Sequence, residues 1–337
     1  MVATDIAGFR RDDEHRTIVF GAGALERAGD LLIEPYTLLT TPRASAAAPE
    51  LAAGAERVVH VPHGEVPDVA AELRDTVEGD RLVALGGGRV VDVAKALAAA
   101  DPPRTVIAVP TTLSGAEMTG HHRHARGVPE GTPRVGVRVV INDPALSASQ
   151  PRADLAASAG NALGHVLVAA TSDRSPPRAR TLAREAARHL AAPWSAGSAD
   201  PAEVALGALL AGWAIDESGL GLHHVVAQTA VRVGGLAHAT ANVAVLAATA
   251  GAMRIRRPDE IARVDAEMGV RAEDLARALR RVARRGRLDL FADEARRAEL
   301  VAVALRRPEL DRIPPAPDAD ELDAIYRASW NPTSVAS

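Results

Sequence analysis

Asn161 and His165 stand four residues apart in the apolar segment AASAGNALGHVLVA (156–169). Residues at this spacing lie on one face of an α-helix, which is how a helix offers two ligands to one metal ion. A divalent cation would favour a carboxylate at the first position, and here there is an amide. The pair therefore indicates a metal site that has lost a ligand, a site that needs no metal, or an ordinary buried helix.

Three further histidines lie in apolar surroundings, at His223 and His224 in GLGLHHVVAQ and at His238 in GGLAHATAN. Imidazole is the side chain best suited to proton transfer near neutral pH, and it is a common metal ligand. A single histidine on an apolar helix is more often a core residue than a functional one. Spacing alone does not predict that these side chains converge.

A glycine turn, Gly86, Gly87 and Gly88, joins an apolar run to a helical one in LVALGGGRVVDVAKALA. Glycines let the backbone approach a ligand closely, and the following helix start attracts an anion. The pattern favours a dinucleotide pyrophosphate, and a tight strand-to-helix turn is the alternative. Within the helix, Asp92 and Lys95 are assigned to packing and to the rim of the site.

Hydroxyl side chains follow the next apolar run, at Thr111, Thr112 and Ser114 in VPTTLSGAEMT. Turn formation alone explains any one of them. Together with the glycine turn they predict a ligand site at the ends of two neighbouring strands.

Up to residue 150, short apolar runs alternate with helical segments, and the runs are 17–21, 36–41, 57–61, 81–88 and 105–112. This alternation predicts a doubly wound parallel sheet, whose ligands bind at the carboxyl ends of the strands. From about residue 151 only helical patterns follow. We therefore predict an α/β dinucleotide-binding domain over 1–150 and an all-α domain over 151–337 that carries the histidines.

Composition narrows the function classes. The 337 residues are 47% hydrophobic with a net charge of −4, which does not favour nucleic-acid binding. The chain has no cysteine, no signal-peptide pattern at its start and no apolar run typical of a membrane span. These features predict a cytoplasmic protein that acts on a small molecule.

Four ordered motifs resemble the iron-containing (group III) alcohol dehydrogenases of the dehydroquinate synthase-like superfamily, and among them especially the maleylacetate reductases. They are GGGRVVDVAKALA, VPTTLSGAEMT, RVVINDPALSASQPRADLAASAGNALGH and GLGLHHVVAQ with LAHA. The resemblance implies an active site in a cleft between the two domains. It also implies hydride transfer from NADH or NADPH to a carbonyl or activated alkene, in a homodimer.

In metal-dependent members, one Asp and three His bind a divalent ion. Those positions correspond here to Asn161, His165, His224 and His238. Maleylacetate reductases resemble this chain in carrying Asn at the first position, and they are expected to work without a metal. The resemblance therefore predicts that the metal is absent, and a tri-histidine site with a bound water is the alternative.

Several residues depart from the family pattern. Arg89 replaces the serine of the glycine turn, Gln228 replaces a histidine one turn after His224, and the Pro-His turn has become Ala237-His238. Arg89 either clasps a phosphate or fills the cofactor pocket. Because the changes lie at the expected cofactor and substrate rims, we predict a substrate other than maleylacetate.

The leading hypothesis is a metal-independent NAD(P)H-dependent reductase with a diverged, anionic substrate. Its predicted catalytic residues are His224, His238 and His165, with Asn161 and Gln228 beside them, and its predicted cofactor-binding residues are Gly86, Gly87, Gly88, Arg89, Thr41, Thr111, Thr112 and Ser114. The neutral Thr41 leaves the choice between NADH and NADPH open. A non-redox lyase, isomerase or cyclase on the same fold is the first alternative, and a non-catalytic partner subunit is the second.

Overall fold

The computed structural model describes residues 6–129, 131–195, 200–283 and 288–330. The chain divides into two compact units. One, here named the sheet unit, comprises Met1–Gln150 and Asp200–Gly212, and the other, the helical unit, comprises Pro151–Ala199 and Trp213–Ser337.

Among the described residues, seven strands form one sheet. They are β1 (Phe9–Asp12), β2 (Thr17–Phe20), β3 (Thr37–Thr40), β4 (Arg57–His60), β5 (Arg81–Gly86), β6 (Thr105–Pro110) and β7 (Val139–Asn142). Their order across the sheet is β1-β2-β7-β6-β5-β3-β4, and only β1 pairs antiparallel, with β2. The predicted α/β class with a largely parallel sheet is confirmed.

Two strands escaped the sequence analysis. All four side chains of β1 are exposed, so it lacks the alternation that marks a half-buried strand. The other strand, β7, has only four residues, and the sequence analysis assigned its segment to the motif RVVINDPALSASQ without predicting a strand there. The central strands β5 and β6 are continuously apolar because a parallel sheet is covered on both faces.

The order of winding reverses between β3 and β5. The chain passes from β3 outward to β4 and then returns to the other side of β3 to form β5, after which β6 and β7 continue in that direction. In doubly wound sheets such a switch point opens a crevice at the carboxyl ends of the two strands, and ligands bind there. Here those ends carry Thr41 and the glycine turn.

Short helices connect the strands of the sheet unit. They are α1 (Ala24–Arg27), α2 (Pro42–Ala47), α3 (Pro49–Gly54), α4 (Val66–Leu73), α5 (Gly88–Ala100) and α6 (Pro144–Ala148), with 3-10 turns at Gly29–Leu32 and Ala116–Met118. The longest of them, α5, is buried along most of its length between the glycine turn and Ala100. Its small side chains allow this close packing.

The remaining helices are α7 (Arg152–Thr171), α8 (Pro177–Ser195), α9 (Pro201–Ser218), α10 (Leu222–Arg232), α11 (His238–Arg256), α12 (Pro258–Met268), α13 (Ala272–Ala283), α14 (Glu294–Ala304) and α15 (Ala319–Ser329), with 3-10 turns at Asp289–Phe291 and Leu310–Arg312. In the helical unit, α7 packs against α8, α11 and α13, and its residues from Ala159 to Ala170 are buried. None of the helices within the described residues is long and apolar enough to span a membrane.

Candidate active site

Three polar side chains meet inside the helical unit, and we name Asn161, His165 and His224 the imidazole cluster. Asn161 and His165 lie one turn apart on α7, and Nδ2 of Asn161 is 3.4 Å from Nε2 of His165. His224 is the third residue of α10, and its ring stacks on the ring of His165, with ring centroids 5.2 Å apart and planes inclined by 17°. All three side chains are more than nine-tenths buried. The structure thus brings together three of the five predicted catalytic residues.

Burial makes charge costly in this cluster. Two imidazolium ions 5.2 Å apart would repel each other by about 3 kcal/mol at an effective dielectric constant of ~20. A stacked, buried pair of this kind is suited to carry one positive charge and not two. The third member of the cluster, Asn161, carries an amide and adds no charge.

His223, although adjacent to His224, has a different environment. It is fully buried, with Nδ1 2.9 Å from Oγ1 of Thr249 and Nε2 3.1 Å from Oδ1 of Asn242. Nδ2 of Asn242 donates to the carbonyl oxygen of His238 at 2.9 Å, so Oδ1 of Asn242 is left to accept a hydrogen bond from His223. A neutral His223 therefore carries its proton on Nε2, and its Nδ1 lies beside the Thr249 hydroxyl, which is also within hydrogen-bond distance of the carbonyl oxygens of Val245 and Leu246.

Burial lowers the pKa of His223 to about 4, although the hydrogen bond that His223 donates to Asn242 opposes the shift, and the charge of His238 lowers the pKa further. The side chain is accordingly neutral near pH 7 and serves packing. Its ring also lies against α7, because a Cβ on Gly164 would be 2.5 Å from Cδ2 and Nε2 of His223. Gly164 thus lets α10 pack closely against α7.

The sequence analysis did not single out Asn242 and Thr249. They are buried polar residues seven positions apart, which places them on one face of α11. That spacing on an otherwise apolar helix is the signal that would have indicated a shared buried partner, and this partner is His223.

His238 and Gln228 are the other two predicted catalytic residues. His238 is the first residue of α11 and its side chain is exposed. Gln228 lies one turn after His224 on α10 and is half-buried. Its Oε1 accepts a hydrogen bond of 2.8 Å from Nη2 of Arg307, so the amide NH2 is the donor that Gln228 presents. Their catalytic roles stay predictions.

Arg307, a residue that the sequence analysis did not identify, fixes this amide. The same guanidinium makes two hydrogen bonds to Glu309, at 3.0 Å and 2.6 Å. These hydrogen bonds from Arg307 lower the pKa of Glu309 despite its partial burial. The orientation of Gln228 therefore depends on a charged pair from the segment after α14.

A divalent metal ion is a poor match to the residues of the cluster. Within the described ranges, no three His, Asp or Glu side chains are grouped so that they could hold a metal ion. Asn161 contributes no charge to offset a dication, and its amide nitrogen faces His165 directly. The cluster therefore offers hydrogen-bonding groups but no anionic ligand for a metal ion.

In the sheet unit, the glycine turn and the hydroxyl residues pack against each other. A Cβ built on Gly87 would lie 3.0 Å from Cγ2 of Thr112, and one on Gly88 would lie 3.0 Å from Cβ and Oγ of Ser114. The backbone of Gly87 is extended, a conformation that any residue can adopt, so the backbone conformation does not require glycine. Glycine is required because a side chain at this position would press against Thr112. The two motifs predicted to share a ligand site are thus neighbours.

The third hydroxyl residue, Thr111, is buried at the end of β6, where its N–H donates to the carbonyl oxygen of Gly86 at 2.9 Å. Its Oγ1 is also buried and has no hydrogen-bond partner in the described part of the chain. A buried hydroxyl without a protein partner is unusual, and a water molecule or a ligand would satisfy it. The turn and this hydroxyl together fit the phosphates of a dinucleotide.

Arg89 and Thr41 flank the turn at the switch point. Nη1 of Arg89 donates to Nδ1 of His63 at 3.0 Å. Thr41 is the N-cap of α2, and its Oγ1 accepts from the N–H of Ala44 at 3.3 Å. His63 did not emerge from the sequence, because only the order of the strands brings the loop after β4 close to the glycine turn.

Lys95 and Glu117 form a second buried charged group in the sheet unit. Nζ of Lys95 donates to the carbonyl oxygens of Ala116, Thr119 and His121, and it lies 2.8 Å from Oδ1 of Asp92. Burial raises the pKa of Glu117 to about 7, with Lys95 acting in the opposite direction. Asp92 lies against Lys95 and balances its charge, and Glu117 is protonated in the folded protein below about pH 7. Lys95 thus has the packing role predicted for it.

The chain is similar to known proteins in sequence and in fold. The chain is 33% identical to maleylacetate reductase 1 of Rhodococcus opacus over 257 residues, covering 74% of this chain and 69% of the relative. The crystal structure of maleylacetate reductase from Agrobacterium tumefaciens superposes with a TM-score of 0.77 and 25% identity, covering 96% of this chain and 97% of the other. An iron-containing alcohol dehydrogenase from Corynebacterium glutamicum shares the fold, with a TM-score of 0.79, 24% identity and 97% of both chains covered. No family model matches the chain.

The two units and their sites define an oxidoreductase of the iron-containing alcohol dehydrogenase superfamily. Within it, the chain belongs to the family of the maleylacetate reductases. The resemblance read from the four motifs is therefore confirmed, and so is the oxidoreductase class.

Proposed function

We propose that the protein is a metal-independent, NAD(P)H-dependent reductase that acts on a carbonyl or activated alkene of a small anionic substrate. The observation that carries the proposal is the buried imidazole cluster, in which Asn161 contacts His165 and His224 stacks on the same ring. Its relatives named maleylacetate reductase support the reductase part of the proposal.

The sheet unit is proposed to bind the dinucleotide. Gly87 and Gly88 form the start of α5, whose backbone N–H groups can bind a phosphate, and Thr111 offers a buried hydroxyl nearby. When bound, the reduced nicotinamide would supply a hydride to the substrate carbon. Thr112 and Ser114 hold the turn in shape by direct packing.

The imidazole cluster is proposed to supply the proton. His224, as the single imidazolium of the cluster, donates a ring proton to the substrate oxygen, or to the carbon next to the carbonyl, as negative charge develops there, and is left as neutral imidazole. His165 keeps the His224 ring in place by stacking, and Asn161 holds His165 from the preceding turn. One hydride and one proton together complete a two-electron reduction.

The substrate is proposed to differ from maleylacetate. Gln228 and its partner Arg307 present an amide NH2 where the family pattern has a histidine, and an amide neither gives nor takes a proton at neutral pH. A hydrogen-bonding role replaces a titrating one at this position, which alters the group that it can recognise.

The matched pair of native protein and Asn161→Asp tests the metal-independence. After dialysis against a chelator, the native protein is expected to oxidise NADH or NADPH with at least one of a panel of small anionic ketones and activated alkenes, maleylacetate included, and added Zn2+ or Fe2+ should change the rate less than about twofold. The Asn161→Asp variant restores the carboxylate, so calorimetry should detect Zn2+ binding that the native protein lacks.

Two results would contradict the proposal. One is loss of activity on chelation with recovery on adding metal, which would make the cluster a metal centre. The other is a folded native protein that binds neither NADH nor NADPH at millimolar concentration. That result would remove the nicotinamide, and with it the reductase.

A homodimer and a cytoplasmic location stay predictions of the sequence, as does the absence of a nucleic-acid partner. Light scattering of the purified protein measures the first directly. A small-molecule substrate accords with the reductase relatives.

A further inference from the structure

The hydrogen bond between Arg89 and His63 crosses the end of another strand. Arg89 follows β5 and His63 follows β4, and β3 lies between these two strands in the sheet. Neighbouring strands are about 5 Å apart, so the two side chains meet above the carboxyl end of β3. The residue at that end is Thr41.

The end of this strand is where a doubly wound domain distinguishes the two nicotinamide cofactors. An acidic residue there binds the ribose 2′-hydroxyl of NADH, whereas an arginine nearby accommodates the 2′-phosphate of NADPH. Thr41 is uncharged, and its hydroxyl oxygen already caps α2. The position therefore lacks the carboxylate that NADH would favour and has a guanidinium close by.

The chemistry of the pair suits an anion. A guanidinium only donates hydrogen bonds, so Nδ1 of His63 accepts from Arg89 and a neutral His63 carries its proton on Nε2. Arg89 retains further N–H donors, and Nε2–H of His63 is another. The acid of the same loop, Glu65, is paired with Arg123 and does not neutralise Arg89.

We propose that Arg89 and His63 bind the 2′-phosphate of the adenosine ribose, and that the enzyme is selective for NADPH over NADH. The proposal rests on the proposed function, since it assumes a nicotinamide dinucleotide at the switch point. It assigns Arg89 a contact that only one of the two cofactors provides, instead of the pyrophosphate that both share.

Calorimetry with four probes tests this selectivity without any turnover. The probes are NADPH, NADH, adenosine 2′,5′-bisphosphate and adenosine 5′-monophosphate, titrated into the native protein and into Arg89→Ser and His63→Ala. The native protein is expected to bind NADPH at least about tenfold more tightly than NADH, because a charge-assisted bidentate contact is worth roughly that much or more. Arg89→Ser should weaken NADPH binding by about 10- to 100-fold and leave NADH within about threefold.

The His63→Ala variant should cause a smaller loss, about three- to tenfold, for the two probes that carry a 2′-phosphate. Arg57→Ser is the matched control, since Arg57 lies at the opposite end of β4 and is paired with Glu78 at the surface. It should change none of the four affinities by more than about twofold.

Three results would overturn the inference while leaving the reductase intact. Equal weakening of NADPH and NADH in Arg89→Ser would place the guanidinium on the pyrophosphate. Tighter binding of both would show that Arg89 blocks the pocket. A native protein that prefers NADH would exclude a 2′-phosphate site. Failure of both cofactors to bind would instead remove the proposed function itself.

Discussion

The glycine turn of the sheet unit and the imidazole cluster of the helical unit differ in where their chemistry comes from. The turn acts mainly through its backbone atoms and through its place at the switch point of the sheet, and the charged Arg89 lies partly open to solvent. In the cluster, three buried side chains act through contacts with one another. The first site is suited to hold anions, and the second is suited to move one proton in a neutral interior.

The helical unit also shows why two histidines that are neighbours in the chain have different roles. His223 and His224 are adjacent and both buried, yet Asn242 and Thr249 bind both ring nitrogens of His223, while His224 stacks on His165. Side-chain environment decides the role there. In the turn, by contrast, replacing one residue changes which ligand fits but not the architecture.

The largest expected effect separates His224 from an ordinary buried histidine. His224→Phe keeps an aromatic ring for stacking on His165 but removes the transferable proton. Loss of a positioned general acid typically costs 10²- to 10⁴-fold, so kcat should fall by about that factor while NADPH binding changes little. Steady-state kinetics with maleylacetate as the probe, and calorimetry with NADPH, measure the two quantities.

His189→Phe is the control for that variant. His189 and His224 are each 6% exposed and both lie in the helical unit, but His189 is paired with Glu185 on α8. Its kcat should stay within about threefold of native. If His224→Phe behaves like His189→Phe, the imidazole cluster is a packing feature and the comparison of the two sites fails.

A second prediction concerns how a buried group in the sheet unit responds to pH. The carboxyl of Glu117 has an ordinary pKa of 4.5 and a pKa of about 7 in the fold, so between these values the folded state holds a proton that the unfolded state has released. Stability is therefore greatest below pH 4.5 with respect to this group and declines as the pH rises through about 7. Each pKa unit corresponds to about 1.4 kcal/mol, which gives at most about 3 kcal/mol for a shift to about 7.

Glu117→Gln removes this titration and keeps the shape of the side chain. The variant should become more stable than native protein above pH 7, and the difference between the two free energies of unfolding should grow as the pH rises from 4.5 to about 7. Urea denaturation of both proteins at a series of pH values checks this, and because both contain His223, whose low pKa removes stability as the pH falls, its contribution cancels in the difference. A difference that does not change with pH would show that Glu117 does not titrate in this range.

The parts of the fold that depend on local pattern were predictable. An apolar run followed by three glycines and a helix identifies β5 and α5, and the alternation of runs and helices identifies a parallel sheet. Asn161 and His165 were paired correctly because a helix brings residues four apart together. Local periodicity contains this information, and no tertiary structure is needed to extract it.

The parts that depend on distant segments were not predictable. The contact of Arg89 with His63 requires β4 to lie beyond β3, and the difference between His223 and His224 requires α11 to cross α10. The exposed strand β1 shows no alternation that would reveal it. For the two side-chain contacts the partner lies on another element of the fold, whereas β1 pairs with the next strand, β2, and lacks only the alternation that would reveal it.

The smallest expected effect tests how Gly164 supports the cluster. In Gly164→Ala, the new Cβ would lie 2.5 Å from the His223 ring, so that ring or α7 must move. Overpacking of this kind costs about 1–3 kcal/mol of unfolding free energy. Gly251→Ala is the matched control on α11, since no atom lies within 4 Å of its Cβ. It should be neutral or stabilise by up to about 1 kcal/mol, because alanine is the better helix former. Denaturation gives both values, and kcat shows whether the displacement reaches His224. Equal stabilities for the two variants would mean that α10 does not depend on the glycine for its approach to α7.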